Sequence, residues 1–434
     1  MCIIIQLIVV LSKQIFIFNA YCKKVVEKER RHKIAYVSRL IYPDRAANAI
    51  QTIRMASEFA RQTGDAHLFV RDMVCSVDQI RQQFGVDELP HIWSLHVRRW
   101  PSIVYRSGWA RFVTYNSIIA AIFGISSKWR PLPDRRNVLF VRSGAEFLYW
   151  GLMRPYLRWL CKWVCIYEVH DIKLPSHLEE FAINSRAVRR TAKALKNYDL
   201  VLTVSEGLAE DIRTLTHGHL DPKVIPCATG LSRLSAPPLV TLSSERIILG
   251  YIGTIDREHG IEDLFQVMKL LPENFVLRII GRVRSHDRIW IDTLMEKPSL
   301  LKKVELKPPV DYSAIMAEID ACNILLLPAG DAIHSRKYRS PLKLFDYMAR
   351  GKPIVAAGVP CNLELLHHER NAFIYQPGNP HEMVALILKI VKNTQLLETV
   401  ARTAWKQSVN YTYDARVRRI LDLVDEVKNH RKKK

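Results

Sequence analysis

Beginning at Lys33, short apolar runs alternate with stretches in which apolar residues recur every three or four positions. IAYV (34–37) has the length and composition of a buried strand, and Ile50, Ile53, Ala56 and Ala60 then keep helical spacing. HLFV (67–70), VLFV (138–141), VCIYEV (164–169), LVLTV (200–204) and KVIP (223–226) repeat the strand pattern, with helical segments between several of them. Parallel neighbours in a sheet need a crossover, so this alternation predicts βαβ units. The proline- and serine-rich stretch LSAPPLVTLSSE (234–245) interrupts the series and predicts an interdomain linker. Beyond it, IILGYIG (247–253), FVLRIIG, KVELK, ILLLP, PIVAAG and AFIY predict a second set of strands, and Ile261, Leu264, Phe265, Met268 and Leu271 mark an amphipathic helix between the first two. Residues 415–428 predict a last helix before a solvated basic tail. The pattern predicts an α/β chain with two doubly wound, Rossmann-like domains at 33–235 and 246–414, an extension at 1–32 and a C-terminal helix and tail at 415–434.

A chain of 434 residues accommodates two such domains, and 48% hydrophobic with 25% charged residues excludes wholesale disorder. The net charge of +21 is the departure from the ordinary, and the excess lies mainly before residue 235. It points to an anionic partner: nucleic acid, a membrane surface or a phosphorylated substrate. The eight cysteines form no CxxC pair, so neither a zinc site nor a disulfide framework is indicated, and a reducing cytoplasm fits. In residues 1–32 an apolar run is cut by Lys13 and Gln14 before a span of about 20 apolar residues is reached. A disordered extension or mis-assigned start, a monotopic anchor and a signal peptide all remain open for it.

In doubly wound sheets ligands bind beyond the carboxyl ends of the strands, often on a helix N-terminus, so the strand-to-helix turns hold the candidates. Gly253 and Gly260 flank a short loop containing Thr254 and His259, whose amides could face a phosphate; a plain turn fits equally well. Arg282 follows the next strand, either as a diphosphate clamp or as a solvated charge. In SRKYRSPLKLFDYMARGKPIVAAGV (335–359), Pro341 suits the first turn of a helix that Gly351 and Pro353 end. Leu342, Phe345 and Met348 would face inward, Asp346 would lie near the ligand edge, and Lys343 could meet a phosphate. The plain alternative is a surface helix with one Lys343–Asp346 pair, worth about 0.2–0.5 kcal/mol.

The stretch SPLKLFDYMARGKPIVAAG, followed by PCNLELLHHERNAFIYQPGNP, resembles the donor-binding signature of family-4 retaining glycosyltransferases of the GT-B fold. YIGTIDREHGIEDL, VLRIIGR, ILLLPAG and VLTVSEGLAEDI with VIPCATG resemble other segments of that family, and RAANAIQTIRMASEFA and YEVHDI resemble its acceptor-domain loop and histidine motif. The resemblance runs over residues 33–428. It implies two Rossmann-like domains facing across a cleft, and transfer of a sugar from a nucleotide-sugar donor to a glycan or lipid-linked acceptor. Retention of anomeric configuration is implied as well. No Asp-x-Asp occurs, so basic side chains and helix N-termini are expected to replace a metal bridge, with no cofactor beyond the nucleotide sugar.

By this resemblance Asp346 takes the place of the second acid of the family's paired-acid motif, which holds the donor ribose, and His170 that of the histidine near the reacting sugar. The two are the catalytic candidates. Eight positions upstream, where the first acid belongs, stands Tyr338. Gly253, Thr254, His259, Arg282, Ser340, Pro341, Leu342 and Lys343 are the remaining donor-binding candidates, with Thr254 and His259 where many relatives carry Arg and Lys. Asn48 and Arg142 are the acceptor-side candidates.

Arg186, Arg189, Arg190, Lys193 and Lys196 recur at helical spacing as a cationic stripe, and Arg154, Arg158 and Lys162 do so among Tyr149, Trp150, Trp159 and Trp163. Such faces lie on anionic headgroups, or are solvated faces with their aromatics packed inward. The first reading makes an anionic membrane a candidate partner and places the protein in the cytoplasm, peripheral at the inner face of the membrane. No helix-turn-helix, zinc-finger or RNP pattern supports a nucleic-acid partner. A non-catalytic GT-B binding protein and a nucleotide-sugar epimerase are the alternatives.

Overall fold

A computed structural model describes residues 32–44, 46–96, 108–129, 135–142, 144, 146–157, 160–171, 186–243 and 245–432. The segment 1–31 lies outside the described residues, as do Arg158 and Trp159.

The apolar runs form two parallel sheets. The first comprises β1 (His32–Val37), β2 (Ala66–Val70), β3 (His91–Ser94), β4 (Arg136–Val141), β5 (Val164–Val169), β6 (Leu200–Thr203) and β7 (Lys223–Val224), in the order β3-β2-β1-β4-β5-β6-β7. The second comprises β8 (Ile247–Ile252), β9 (Phe275–Ile280), β10 (Val304–Lys307), β11 (Ile324–Leu327), β12 (Ile354–Ala357) and β13 (Phe373–Tyr375), in the order β10-β9-β8-β11-β12-β13. In each sheet the order reverses beside the first strand, which opens a crevice at the carboxyl ends there. Most strand positions are buried on both faces, as parallel sheets covered by helices require.

Six helices position the site. In α1 (Ala47–Thr63), Ile53, Ala56 and Phe59 bury an apolar face, while the polar Gln51 and Thr52 are buried as well. The helices α2 (Arg186–Lys196), α3 (Glu206–Leu215) and α4 (Ile261–Leu270) follow β5, β6 and β8. α5 (Leu342–Ala349) is the predicted donor helix: Pro341 caps it, Phe345 and Met348 are fully buried, and Gly351 adopts φ 61° just past its end. Each such apolar side chain stabilises the packing by about 1.5–3 kcal/mol. Arg350 ties the end of α5 to Asp320 at 2.6 Å and to the Ser232 carbonyl at 2.7 Å.

Three expectations need correction. Residues 413–432 form α6 (Tyr413–Lys432), and Tyr413, Val417, Ile420 and Val424 pack into the core of the N-terminal domain. The segment is an apolar-faced element of that domain, not an appendage. The interdomain crossing lies slightly ahead of the proline-rich stretch. Ala228 still belongs to the N-terminal core, while the Leu234 amide already bonds the Ala349 carbonyl of α5. Thr229 pairs there with Thr412 of the returning segment, so the two crossovers run side by side. Finally, the helical spacing read for Arg154 and Lys162 does not place them on one helix face: they lie in separate 3-10 turns at Arg154–Tyr156 and Leu160–Lys162, the first with Pro155 in its opening turn. Trp150 and Trp163 are core residues, and Arg154 pairs with Asp199 at 2.7 Å.

Candidate active site

A cleft of about 1340 Å³ lies between the carboxyl ends of the two sheets. Its N-terminal wall carries Arg39 after β1, Asn48 and Gln51 of α1, Arg142 after β4, and His170 and Asp171 after β5. Its C-terminal wall carries Gly253 and Thr254 after β8, Gly281 and Arg282 after β9, and Arg339 to Lys343 with Asp346 at α5. Every donor and acceptor candidate from the sequence thus lines one cavity; the α2 stripe does not.

The strand ends β8 and β9 approach so closely that a Cβ on Gly281 would fall 1.7 Å from the Gly253 carbonyl oxygen. Gly253 itself has φ 148°, and a Cβ there would meet Lys343 Nζ at 2.6 Å. Gly281 lets the two strand ends meet, and Gly253 makes room for the Lys343 ammonium, which sits 3.9 Å from the centre of the Tyr251 ring. Among the described residues neither Lys343 nor Arg339 has a carboxylate within ion-pairing distance. Arg339 is 7% exposed and spends one amino group on the Pro328 carbonyl at 2.7 Å. Burial, with the neighbouring Arg339 guanidinium, draws the Lys343 ammonium well below the ordinary lysine range. The more distant Asp256 opposes this only in part, so the floor of the cleft holds two cationic side chains without a carboxylate in contact among the described residues. Arg339 escaped the sequence reading because a lone arginine beside a helix start has no periodic signature.

The other donor candidates divide. His259 bonds Asp256 through Nδ1 at 2.5 Å, and burial lowers its pKa against the pull of that carboxylate. Arg282 is exposed on the wall, with Thr254 beside it. The Ser340 hydroxyl accepts the Cys227 amide at 2.9 Å, a contact between domains. Pro341 and Leu342 start α5 at the cleft.

Asp346 faces the cleft but is only 4% exposed. Its Oδ1 accepts the Thr229 hydroxyl at 2.6 Å and the Tyr312 hydroxyl at 2.8 Å. Burial pushes its pKa up to about 6, against those bonds and the more distant Arg54. No Lys343–Asp346 ion pair forms among the described residues, because the lysine turns to Tyr251. Tyr338 points out of the cleft: its hydroxyl donates to Asp211 of α3, which Lys337 also meets at 2.7 Å. The residue standing where the resemblance puts the first acid is thus a strut between domains.

On the acceptor side, Arg142 is fully engaged. It donates to the Asn48 side chain and carbonyl, to Thr52 at 3.1 Å and to Gln51 at 2.9 Å, and its Nε stands 2.9 Å from His170 Nε2. His170 Nε2 also lies 2.5 Å from Glu168 Oε1. Burial first, then Arg142, pushes the His170 pKa down to about 4, so the ring is neutral at pH 7. An Nε2–H tautomer would donate to Glu168 and leave Nδ1 as the ring's acceptor.

In fold this is a two-domain GT-B protein. Residues 240–407 match the family model described as Glycosyl transferases group 1. Over 177 residues the chain is 20% identical to uncharacterized glycosyltransferase MJ1178 of Methanocaldococcus jannaschii, and the match covers 41% of this chain and 47% of that relative. The chain thus spans about half the length of the curated relative it matches. Its fold is similar to that of Anabaena HepE in complex with UDP, with TM-score 0.66 and 14% identity over 91% of this chain and 100% of that one. It is also similar to sucrose-phosphate synthase from Thermosynechococcus elongatus, with TM-score 0.67 and 16% identity over 92% and 100%. WaaG, a glycosyltransferase involved in lipopolysaccharide biosynthesis, gives TM-score 0.57 and 12% identity over 90% and 99%.

Proposed function

We propose that the protein is a glycosyltransferase that moves a sugar from a nucleoside diphosphate sugar to a glycan or lipid-linked acceptor. The observation that carries this reading is the pair of basic side chains, Lys343 and Arg339, that stand on the floor of an interdomain cleft with no carboxylate in contact among the described residues. An anion must complete them, and the diphosphate of a sugar nucleotide has the matching charge. In the reaction the bond from the anomeric carbon to the diphosphate oxygen breaks, and its electron pair leaves on the phosphate. The acceptor hydroxyl oxygen bonds that carbon on the same face, and its proton passes to the departing phosphate. Lys343, Arg339 and Arg282 meet the developing charge in place of a metal bridge. Asp346 holds the ribose, and neutral His170 faces the sugar.

The test is thermal shift of the purified protein with UDP-, GDP-, ADP- and TDP-sugars, without added metal, starting from UDP-glucose because HepE is known with it. A ligand at a hundredfold excess over its Kd stabilises by about 2.7 kcal/mol. A selective shift followed by release of the nucleoside diphosphate on adding acceptor is expected. No shift with any of them overturns the reading. Shift without turnover moves it to a non-catalytic nucleotide-sugar binder, which the strut role of Tyr338 favours.

We also propose that α2 rests on an anionic membrane surface at the cytoplasmic face. Its Arg186, Arg189, Arg190, Lys193 and Lys196 are exposed and, among the described residues, have no ion-pair partner, while Ala194 and Leu195 face the core. Among the described residues no helix is long and apolar enough to cross a membrane. Each basic residue near such a surface contributes about 1 kcal/mol. Replacing Arg186, Arg190 and Lys193 with Glu is therefore expected to release the protein from phosphatidylserine vesicles in a sedimentation assay. Undiminished binding would exclude the stripe.

A further inference from the structure

We infer that Arg416, on the returning helix α6, is a positioning residue for His170. It lies outside the residues that match the family model and in none of the motifs that carry the resemblance. Its side chain is 2% exposed, and its Nη2 donates to Glu168 Oε2 at 2.8 Å, while the opposite oxygen of that carboxylate faces His170 Nε2 at 2.5 Å. One fully buried carboxylate is thus shared between a guanidinium from the end of the chain and the imidazole at the cleft.

The guanidinium is itself held on several sides. Its Nε donates to the Pro226 carbonyl at 2.7 Å and its Nη2 also to the Ile225 carbonyl at 3.2 Å, both just before the first interdomain crossover. Gln51 donates to Glu168 Oε1 at 3.3 Å, and Arg142 stands 3.5 Å from the same oxygen. The charged and titratable groups facing the Glu168–His170 pair are therefore Arg416 from α6, Arg142 from the end of β4, Tyr36 from β1 and Cys227 from the crossover. Arg416 and Arg142 together keep Glu168 ionised despite its burial. An ionised Glu168 selects the Nε2–H tautomer of His170 and fixes the ring plane, as a carboxylate behind an imidazole does. Burial first, and then the two cations nearby, keep the ring itself from taking a second proton. Removing Arg416 leaves Glu168 to recover charge balance from its neighbour, so protonation of the pair moves to higher pH.

This inference rests on the proposed sugar transfer only for its kinetic readout. The experiment compares wild type, Arg416→Met and Arg416→Lys by donor Kd, kcat, and NMR titration of the His170 ring protons in the free protein. Expected for Arg416→Met are a donor Kd within about twofold of wild type, a kcat reduced about tenfold or more, and a His170 titration raised by at least about one unit, a tenfold change in proton affinity. Arg416→Lys keeps the charge but not the fork that reaches Glu168 and both carbonyls, so it restores the titration and only part of kcat. A folded Arg416→Met with wild-type titration and kcat overturns the proposal. If Arg416→Met does not fold, Arg416→Lys decides: a lowered kcat at unchanged Kd, with shifted His170 ring resonances, supports the role, and wild-type values of all three overturn it. Should the wild type turn over no donor, the titration still tests the positioning, so the two readings fail separately.

Discussion

Lys343→Met is expected to raise the melting temperature of the free protein while weakening sugar-nucleotide binding by about 10- to 150-fold. Charge-assisted hydrogen bonds of the kind lost contribute about 1.5–3 kcal/mol, and every 1.4 kcal/mol is tenfold. The opposite signs have one cause. Without ligand the ammonium lies against the Tyr251 ring, beside Gly253, and among the described residues it has no carboxylate partner. Burial and Arg339 disfavour its charged form, so its folded pKa is well below the unfolded one. Between those two values the unfolded chain binds more protons, so wild-type stability rises with pH through that window and is reduced below it. Methionine keeps most of the stem's volume and has nothing to ionise, so this reduction disappears. A bound diphosphate reverses the balance by giving the ammonium its counter-charge. Calorimetric titration with the sugar nucleotide, and melting curves of both proteins from pH 6 to 10, check the two halves. An unchanged Kd in a folded Lys343→Met removes the lysine from the phosphate site.

Asp346→Asn is expected to stabilise the protein at pH 7.5 by up to about 3 kcal/mol relative to wild type, with the gain vanishing near pH 4. Burial has pushed the carboxyl up to about 6 from an ordinary value of about 3.9. Two pKa units correspond to about 3 kcal/mol. Because the folded pKa is the higher one, this contribution to stability is present below the unfolded value and is lost as pH rises through 6. Asparagine retains a carbonyl oxygen for Thr229 and Tyr312, so the crossover keeps its acceptor. Asp346→Ala, by contrast, leaves both hydroxyls without it and loses about 1–3 kcal/mol. Donor affinity should improve in wild type as pH rises through 6, when the carboxylate becomes available to ribose hydroxyls, and stay flat and weaker in Asp346→Asn. Denaturant melts at pH 4, 6 and 7.5 with parallel Kd measurements decide this. A pH-independent difference between the two proteins would show that Asp346 does not titrate in this range.

How far such residues were legible differs case by case. Lys343 and Asp346 could be placed because α5 has an apolar face, Phe345 and Met348, that orients everything else on the helix. His170 was singled out only by the resemblance of YEVHDI to the family's histidine motif, since a histidine at a strand end carries no signal of its own. Tyr338 could not be placed, since a π-turn at His334–Tyr338 aims it at Asp211 of the other domain. The tryptophans around Arg154 look like an interfacial belt in one dimension, yet Trp150 and Trp163 belong to the core.

From its own pattern the chain determines two doubly wound domains and the turns at which a ligand binds. Strand and helix periods are local, and the hydrophobic effect acts on them wherever the partner surface comes from. Which charges stay bare in the cleft was decided only by tertiary structure. Glu168 and Arg416 stand 248 positions apart, and Thr229 and Asp346 stand 117 apart. Pairing over such distances has no period and leaves no trace along the chain. Whether a buried carboxylate is ionised, or an ammonium uncompensated, depends on what folding brings within a few ångströms of it.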